Sequence, residues 1–244
     1  MSVFAFRSWA GTHPGARRAH NEDSYVDRPD LGLWAVADGA GGREAGEVAA
    51  WMIADMLGSI PMSLSAAALH DEVRSRIGQA HQKLRAEAAR RGESAVIAAA
   101  LVVMLARDDR FTCLWAGDAR AYLLRNGMLS QLSHDHSLAQ ALADAGAISA
   151  AEMAAHPRAD ILTRAVGGDL ENFALDEREG MLTGGDRFLL CSDGVSKSLT
   201  PAELTVLLGA PEGVAPSELL LAAALGREAA DNITAVAIEA RAPK

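Results

Sequence analysis

Leu69, Val73, Ile77 and Leu84 recur at helical spacing among His70, Glu72, Arg74, Arg76 and Lys83. This predicts an amphipathic helix of about 25 residues that stops at Gly92. Val48, Met52 and Met56 make a second apolar face after Gly46. Thr200-Pro201-Ala202-Glu203 reads as a capping box with Pro at the first helical position, and Ser149-Ala150-Ala151-Glu152 as another. Ser217 to Ala230 is a Leu/Ala-rich helix. Strands are predicted where short apolar runs end on turn residues: Leu31 to Ala37, Val96 to Ala106, Phe111 to Ala116, Ala121 to Leu124, Arg187 to Cys191 and Ile233 to Glu239. Unbroken apolar runs fit strands buried on at least one face. Asp108-Asp109 and Asn126-Gly127 predict hairpins, hence antiparallel pairing. Strands in neighbouring pairs, with long helices in separate stretches, predict an α+β fold rather than repeated βαβ units. No fixed-period repeat, Ser/Gly linker or long like-charge block divides the chain, so residues 1–244 are expected to form one domain.

The chain of 244 residues is half apolar, which disfavours disorder. Lys and Arg number 23 against 32 Asp and Glu, a net charge of -9. That balance repels nucleic-acid backbones and anionic membrane surfaces, so neither is an expected partner. Cys113 and Cys191 sit inside apolar runs and are expected to be buried, reduced thiols. Met1 to Ala10 carries Arg7 in its only apolar stretch and does not read as a signal peptide. The longest uncharged apolar run, Ala95 to Ala106, is far shorter than the ~18 residues of a membrane span. The chain is expected to be soluble, cytoplasmic and monomeric.

The informative pattern is where the carboxylates fall. Leu33 to Ala37 runs into Asp38-Gly39, Phe188 to Ser192 into Asp193-Gly194, and Leu114 to Ala116 into Gly117-Asp118, while Asp231-Asn232 precedes Ile233. Strand ends gather along sheet edges, and carboxylates collected there repel one another unless a cation lies between them. Mg²⁺ and Mn²⁺ take such oxygen ligands. Two ions about 3.5–4 Å apart can generate a hydroxide and clamp a phosphoryl oxygen. Asp-Gly is also a common turn pair, so spacing alone leaves both readings open. Upstream, Arg17-Arg18-Ala19-His20-Asn21-Glu22-Asp23 is either a solvated loop or a phosphate fork at Arg18 beside acids that hold water.

At these residues the sequence resembles the metal-dependent protein phosphatases (the PPM, or type 2C, serine/threonine phosphatases), and most closely the bacterial single-domain members. The resemblance covers nearly the whole chain, in order. It runs through Arg18-Ala19-His20-Asn21-Glu22-Asp23, Val36-Ala37-Asp38-Gly39-Ala40-Gly41-Gly42 and Gly117-Asp118-Ala119-Arg120-Ala121-Tyr122. Asp135-His136-Ser137, Leu162 to Gly167, Leu190-Cys191-Ser192-Asp193-Gly194 and Asp231-Asn232-Ile233-Thr234 follow. It implies a four-layer αββα sandwich with two central antiparallel sheets and a mobile flap at 136–164. It further implies that Asp38 bridges two Mn²⁺ or Mg²⁺ ions, that the Gly39 carbonyl binds one, and that Asp193 and Asp231 bind the other. Glu22 and Asp23 would act through water, Arg18 would grip the phosphate, and Asp118, with Asp193, would serve a weaker third ion. A water bridging the ions would attack phosphorus in line. The partners implied are a phosphorylated protein substrate and an opposing serine/threonine kinase.

Three positions depart from the family pattern. Ala40 replaces the general-acid His of animal relatives, Ile97-Ala98-Ala99-Ala100-Leu101 lacks the usual hydroxyls, and Ala119 replaces a Ser. The direct metal ligands are all present, so an active enzyme is expected. The competing reading is a catalytically silent phosphoprotein-binding adaptor in a signalling or secretion assembly. Other phosphate chemistries fail on their motifs. Cys191 has Lys197 where a Cys-X5-Arg phosphatase needs Arg, Cys113 reaches Arg120 one residue late, and no Asp-X-Asp or Gly-Lys pair occurs. His134 and His136 are expected to be structural or solvated rather than zinc ligands, His156-Pro157 to end a flap helix rather than to donate a proton, and Trp9, Trp34, Trp51 and Trp115 to lie in the core.

Overall fold

Strands that bury both faces need two covering layers, and the structure supplies them. It is a computed structural model that describes residues 4–41, 44–92, 94–154, 156–169 and 173–242; Gly42 of the second motif and Ala155 of the expected flap lie outside the described residues. One sheet has the order β1 (Ala5–His13), β10 (Ile233–Arg241), β9 (Arg187–Cys191), β6 (Arg120–Arg125), β7 (Met128–Gln131). The other has the order β2 (Asp23–Arg28), β3 (Leu33–Ala40), β4 (Ala98–Arg107), β5 (Arg110–Ala116), β8 (Asp176–Met181). Every strand pair is antiparallel.

Alternation of side chains sorts each apolar run onto two different cores. In β3, Trp34 and Val36 point between the sheets, while Leu33, Ala35 and Ala37 point at α1 (Ala45–Gly58) and α2 (Ala66–Arg91). β4 divides in the same way, Val102 and Met104 inward and Leu101 and Val103 outward. Across the sandwich, Leu189, Ile233 and Ala235 pack under α6 (Pro201–Leu208) and α7 (Pro216–Gly226) through Leu204, Leu208 and Leu220. The result is the four-layer α+β arrangement of helices, sheet, sheet, helices. Trp34 and Phe188 are fully buried between the sheets, and truncating either to Ala costs about 3–5 kcal/mol.

The predicted ends hold closely at α2, whose C-cap is Gly92, and at α6, where Thr200 and Glu203 form a complete capping box. The hairpins turn at Asp108 (φ 55°) and at Asn126-Gly127 (φ 52° and 77°), both left-handed, as the pair Asn-Gly favours. α7 ends at Gly226 rather than Ala230, because Glu228 adopts φ 56° and the Ala229 carbonyl instead accepts from Ala16 N–H at 3.0 Å. Trp51 departs from its expected core position and is 61% exposed on α1. The stretch expected as a flap carries α3 (Leu138–Asp144) and α4 (Ala150–Ala154). It is stitched to the body at its base by His136 N–H on the Gly117 carbonyl and Thr163 N–H on the His136 carbonyl. Among the described residues no helix is long and apolar enough to cross a membrane.

Candidate metal and phosphate site

The strand ends meet at one edge of the sandwich. Asp38 lies near the end of β3, in register with Asp23 at the start of β2. Asp193 follows β9 and opens α5 (Asp193–Ser198), and its backbone N–H donates to Asp38 Oδ2 at 3.3 Å. Asp38 belongs to one sheet and Asp193 to the end of the other, so this contact spans the sandwich. The two glycines after these acids are required by close backbone approach. A Cβ on Gly39 would stand 2.2 Å from the Gly46 carbonyl oxygen and 2.5 Å from that of Glu22. A Cβ on Gly194 would stand 2.0 Å from the Asn232 carbonyl oxygen.

Asn232 is the pin of the upstream loop. Its Oδ1 accepts from Glu22 N–H at 2.8 Å, and its Nδ2 donates to the carbonyls of Pro14 and His20, both at 2.9 Å. The loop is therefore fixed, and Asp23 at its end is a buried strand residue. Thr234 Oγ1 donates to Asp23 Oδ2 at 2.7 Å, whereas Asp23 Oδ1 is buried without a hydrogen-bond partner. Glu22 turns its carboxylate toward Gly46, whose added Cβ would meet Oε2 at 2.9 Å. Arg18 Nη2 donates to Asp231 Oδ2 at 2.8 Å, with about half of the Arg18 side chain exposed. Lys197, one turn along α5, donates to Asp193 Oδ2 at 2.6 Å and also pairs with Asp160 of the flap stretch.

Charge is concentrated here in a way that burial penalises. Burial first, then Asp193, Asp23 and Asp118, push the Asp38 carboxyl well above the usual carboxylate range. Burial pushes Asp23 up to about 7 despite the Thr234 hydrogen bond, and Asp193 and Asp231 add to it. Burial and then Asp193 push Asp118 up to about 7. The hydrogen bond to Asp231 and its charge hold the Arg18 guanidinium above its ordinary value. Such a set of buried oxygen donors, with one orphaned carboxylate oxygen, fits a hard divalent cation. Among the described residues no three acidic, imidazole or thiol side chains form a ready-made ligand group. Arg18 and Lys197 already occupy oxygens of Asp231 and Asp193, and backbone carbonyl or water would have to complete any ion's ligands.

The other candidates fall outside this chemistry. His134 pairs with Asp144 at 2.8 Å; His136 accepts from Gly117 N–H at 3.2 Å and faces Asp176 at 3.2 Å. Both Cys are buried and free, and burial pushes the Cys191 thiol up to about 12, which removes it as a nucleophile. Ala40 and Ala98, two of the departures, line a cleft of about 400 Å³ with Leu162 and Arg164 beside the Asp38-Gly39 end of β3. Two side chains that brace this edge were not singled out from the sequence. Lys197 had a signal in its i, i+4 spacing from Asp193. The fork of Arg120 on Asp135, at 2.6 Å, braces the loop behind Asp118 and had none beyond the two motifs themselves.

A family model described as Protein phosphatase 2C matches residues 10–211. The chain belongs to the protein phosphatase 2C family. Within the family it is 31% identical over 234 residues to the serine/threonine protein phosphatase PstP of Mycobacterium tuberculosis (strain ATCC 25618 / H37Rv). That match covers 96% of this chain and 45% of PstP, so the chain spans about half the length of that relative. It is 30% identical to the serine/threonine phosphatase stp of Listeria innocua, with 93% of each chain covered. Among solved structures it superposes on PppA, a key regulatory component of T6SS in Pseudomonas aeruginosa, with TM-score 0.89 and 40% identity over 98% of this chain and 100% of PppA. It also superposes on the catalytic domain of PstP in complex with 2 manganese ions, with TM-score 0.83 and 29% identity over 98% of this chain and 100% of that one. The edge of carboxylates described above is thus set in a fold whose relatives are serine/threonine phosphatases.

Proposed function

We propose that this protein hydrolyses phosphoserine and phosphothreonine in other proteins and opposes a bacterial serine/threonine kinase in the cytoplasm, acting as a monomer. The observation that carries the reading is the gathering of Asp23, Asp38, Asp118, Asp193 and Asp231 at one edge, with Arg18 facing solvent beside them. Two Mn²⁺ or Mg²⁺ ions held there would supply Lewis-acid chemistry, activating water and offsetting charge on the phosphoryl oxygens.

The chain's own residues do the rest. Asp38 would hold both ions, with the Gly39 carbonyl for one and Asp193 and Asp231 for the other. Glu22 and Asp23 orient water, and the orphaned Asp23 oxygen is free to accept from it. Arg18 keeps N–H donors free of Asp231 and offers them to an equatorial phosphate oxygen. Ala40 has no proton to give, so the leaving alkoxide takes its proton from water.

The likeness to PppA, a key regulatory component of T6SS, bears instead on the second reading, a phosphoprotein-binding adaptor in a secretion assembly. A silent adaptor would have no use for buried carboxylates that destabilise the fold without a cation. Purified protein given a phosphothreonine peptide tests the reading. Phosphate release with Mn²⁺ that stops with a chelator supports it; no release from folded, Mn²⁺-bound protein would favour the adaptor.

A further inference from the structure

One ammonium bridges two carboxylates at this edge, and its charge acts on a third. Lys197 Nζ lies 2.6 Å from Asp193 Oδ2 and is hydrogen-bonded to Asp160 Oδ1 in the flap stretch. The charge of Asp118, in the β5–β6 connection, is stabilised by the same lysine. An i, i+4 pair such as Asp193 with Lys197 is by itself common on helices. Here the lysine also reaches a residue 37 positions earlier, on a different part of the chain. Asp118 and Asp193 are the pair that a third ion would need. An ion bound there would compete for Asp193 with the Lys197 ammonium, which already holds its Oδ2. Like charges so placed repel, and the hydrogen bonds to Asp193 and Asp160 hold the ammonium there.

We propose that Lys197 stands in for a third metal ion: its ammonium neutralises Asp118 and Asp193 and ties the flap to the catalytic edge through Asp160, so that the chain takes up two ions and not three. Lys197 is a positioning residue; it acts through these acids and not on the phosphate. The contact uses Asp193 Oδ2. The inference rests on the proposed reading that Asp38, Asp193 and Asp231 hold two ions. It makes flap order partly independent of metal, since the tether is supplied by the chain.

Native mass spectrometry of the full chain in rising Mn²⁺ tests it. Wild type saturates at two Mn²⁺, Lys197→Met takes a third, and Lys197→Arg returns to two. In the metal-free protein, amide exchange over residues 156–164 becomes about fivefold faster in Lys197→Met and in Asp160→Asn, and is unchanged in Lys197→Arg. Asp160 is exposed, so its variant tests the tether even where Lys197→Met fails to fold. A wild type that takes three ions, or a Lys197→Met protein that stops at two, overturns the substitution of lysine for metal. Unchanged flap exchange in both variants overturns the tether. A wild type that binds no Mn²⁺ overturns the proposed function and this inference with it, whereas two ions in both wild type and Lys197→Met overturn this inference alone.

Discussion

The Asp193 backbone N–H donates to Asp38 Oδ2 at 3.3 Å, joining the end of β9 to the end of β3 across the sandwich. One backbone N–H is a small return for a buried carboxylate that also faces the charges of Asp193, Asp23 and Asp118. The site is therefore a place where the metal-free protein is strained electrostatically, and a cation relieves that strain.

Asp38→Asn keeps an oxygen for the Asp193 N–H and removes the charge. In the metal-free protein it is expected to stabilise the fold by about 1–2 kcal/mol, raising Tm by about 5 °C. Differential scanning fluorimetry in chelator at pH 8 measures this, and a lowered Tm contradicts it.

Stability of the metal-free protein should fall between pH 5 and 7. Asp23 and Asp118 titrate near 7 when folded, against about 3.9 when unfolded. Between those values the folded chain binds more protons than the unfolded one, so rising pH removes stability until about pH 7. Acids with lowered values, such as Asp30 and Asp176, act in the opposite sense only below about pH 4. Thermal melts in chelator should show a lower Tm at pH 8 than at pH 5, and Mn²⁺ should raise Tm more at pH 8. A Tm that rises steadily to pH 8 in chelator would refute the electrostatic picture.

Arg18→Ala should raise KM for a phosphothreonine peptide about tenfold, the low end of what a charged hydrogen bond contributes, because the side chain is half exposed. Initial-rate kinetics at saturating Mn²⁺ separate KM from kcat. An unchanged KM takes Arg18 out of the phosphate site.

Asn232→Ala leaves Glu22 N–H and the carbonyls of Pro14 and His20 without their shared partner. Asn232 is 5% exposed, so the loss should cost about 2–3 kcal/mol, or roughly 8 °C in Tm. It should also weaken Mn²⁺ binding, since the loop that carries Glu22 and Asp23 is released. Calorimetric titration with Mn²⁺ reads the second effect, and unaltered affinity would show that the loop does not serve the ions.

The six strands legible in the sequence are the interior ones, where both faces are apolar. The four strands that the hydrophobic pattern did not show, β1, β2, β7 and β8, are the four sheet edges. Their polar or mixed sequences, such as Asp176-Glu177-Arg178-Glu179 in β8, suit a solvated edge and hide the strand pattern. Asn126-Gly127 announced a turn without revealing β7 beyond it. The site was legible as acids at strand ends because β3 and β9 both run out at the same edge. What the sequence could not convey was the pairing between distant residues. Lys197 meets Asp160, and Asn232 meets Glu22 and Pro14, only once the two sheets have stacked.

In the proposed function, Asp38 organises a cation-dependent phosphate hydrolysis. The most direct measurement is phosphate released from a phosphothreonine peptide by wild type and by Asp38→Asn, side by side in saturating Mn²⁺. Robust release is expected from wild type, and at least about a thousandfold less from a folded Asp38→Asn protein. Equal rates from the two proteins would contradict it.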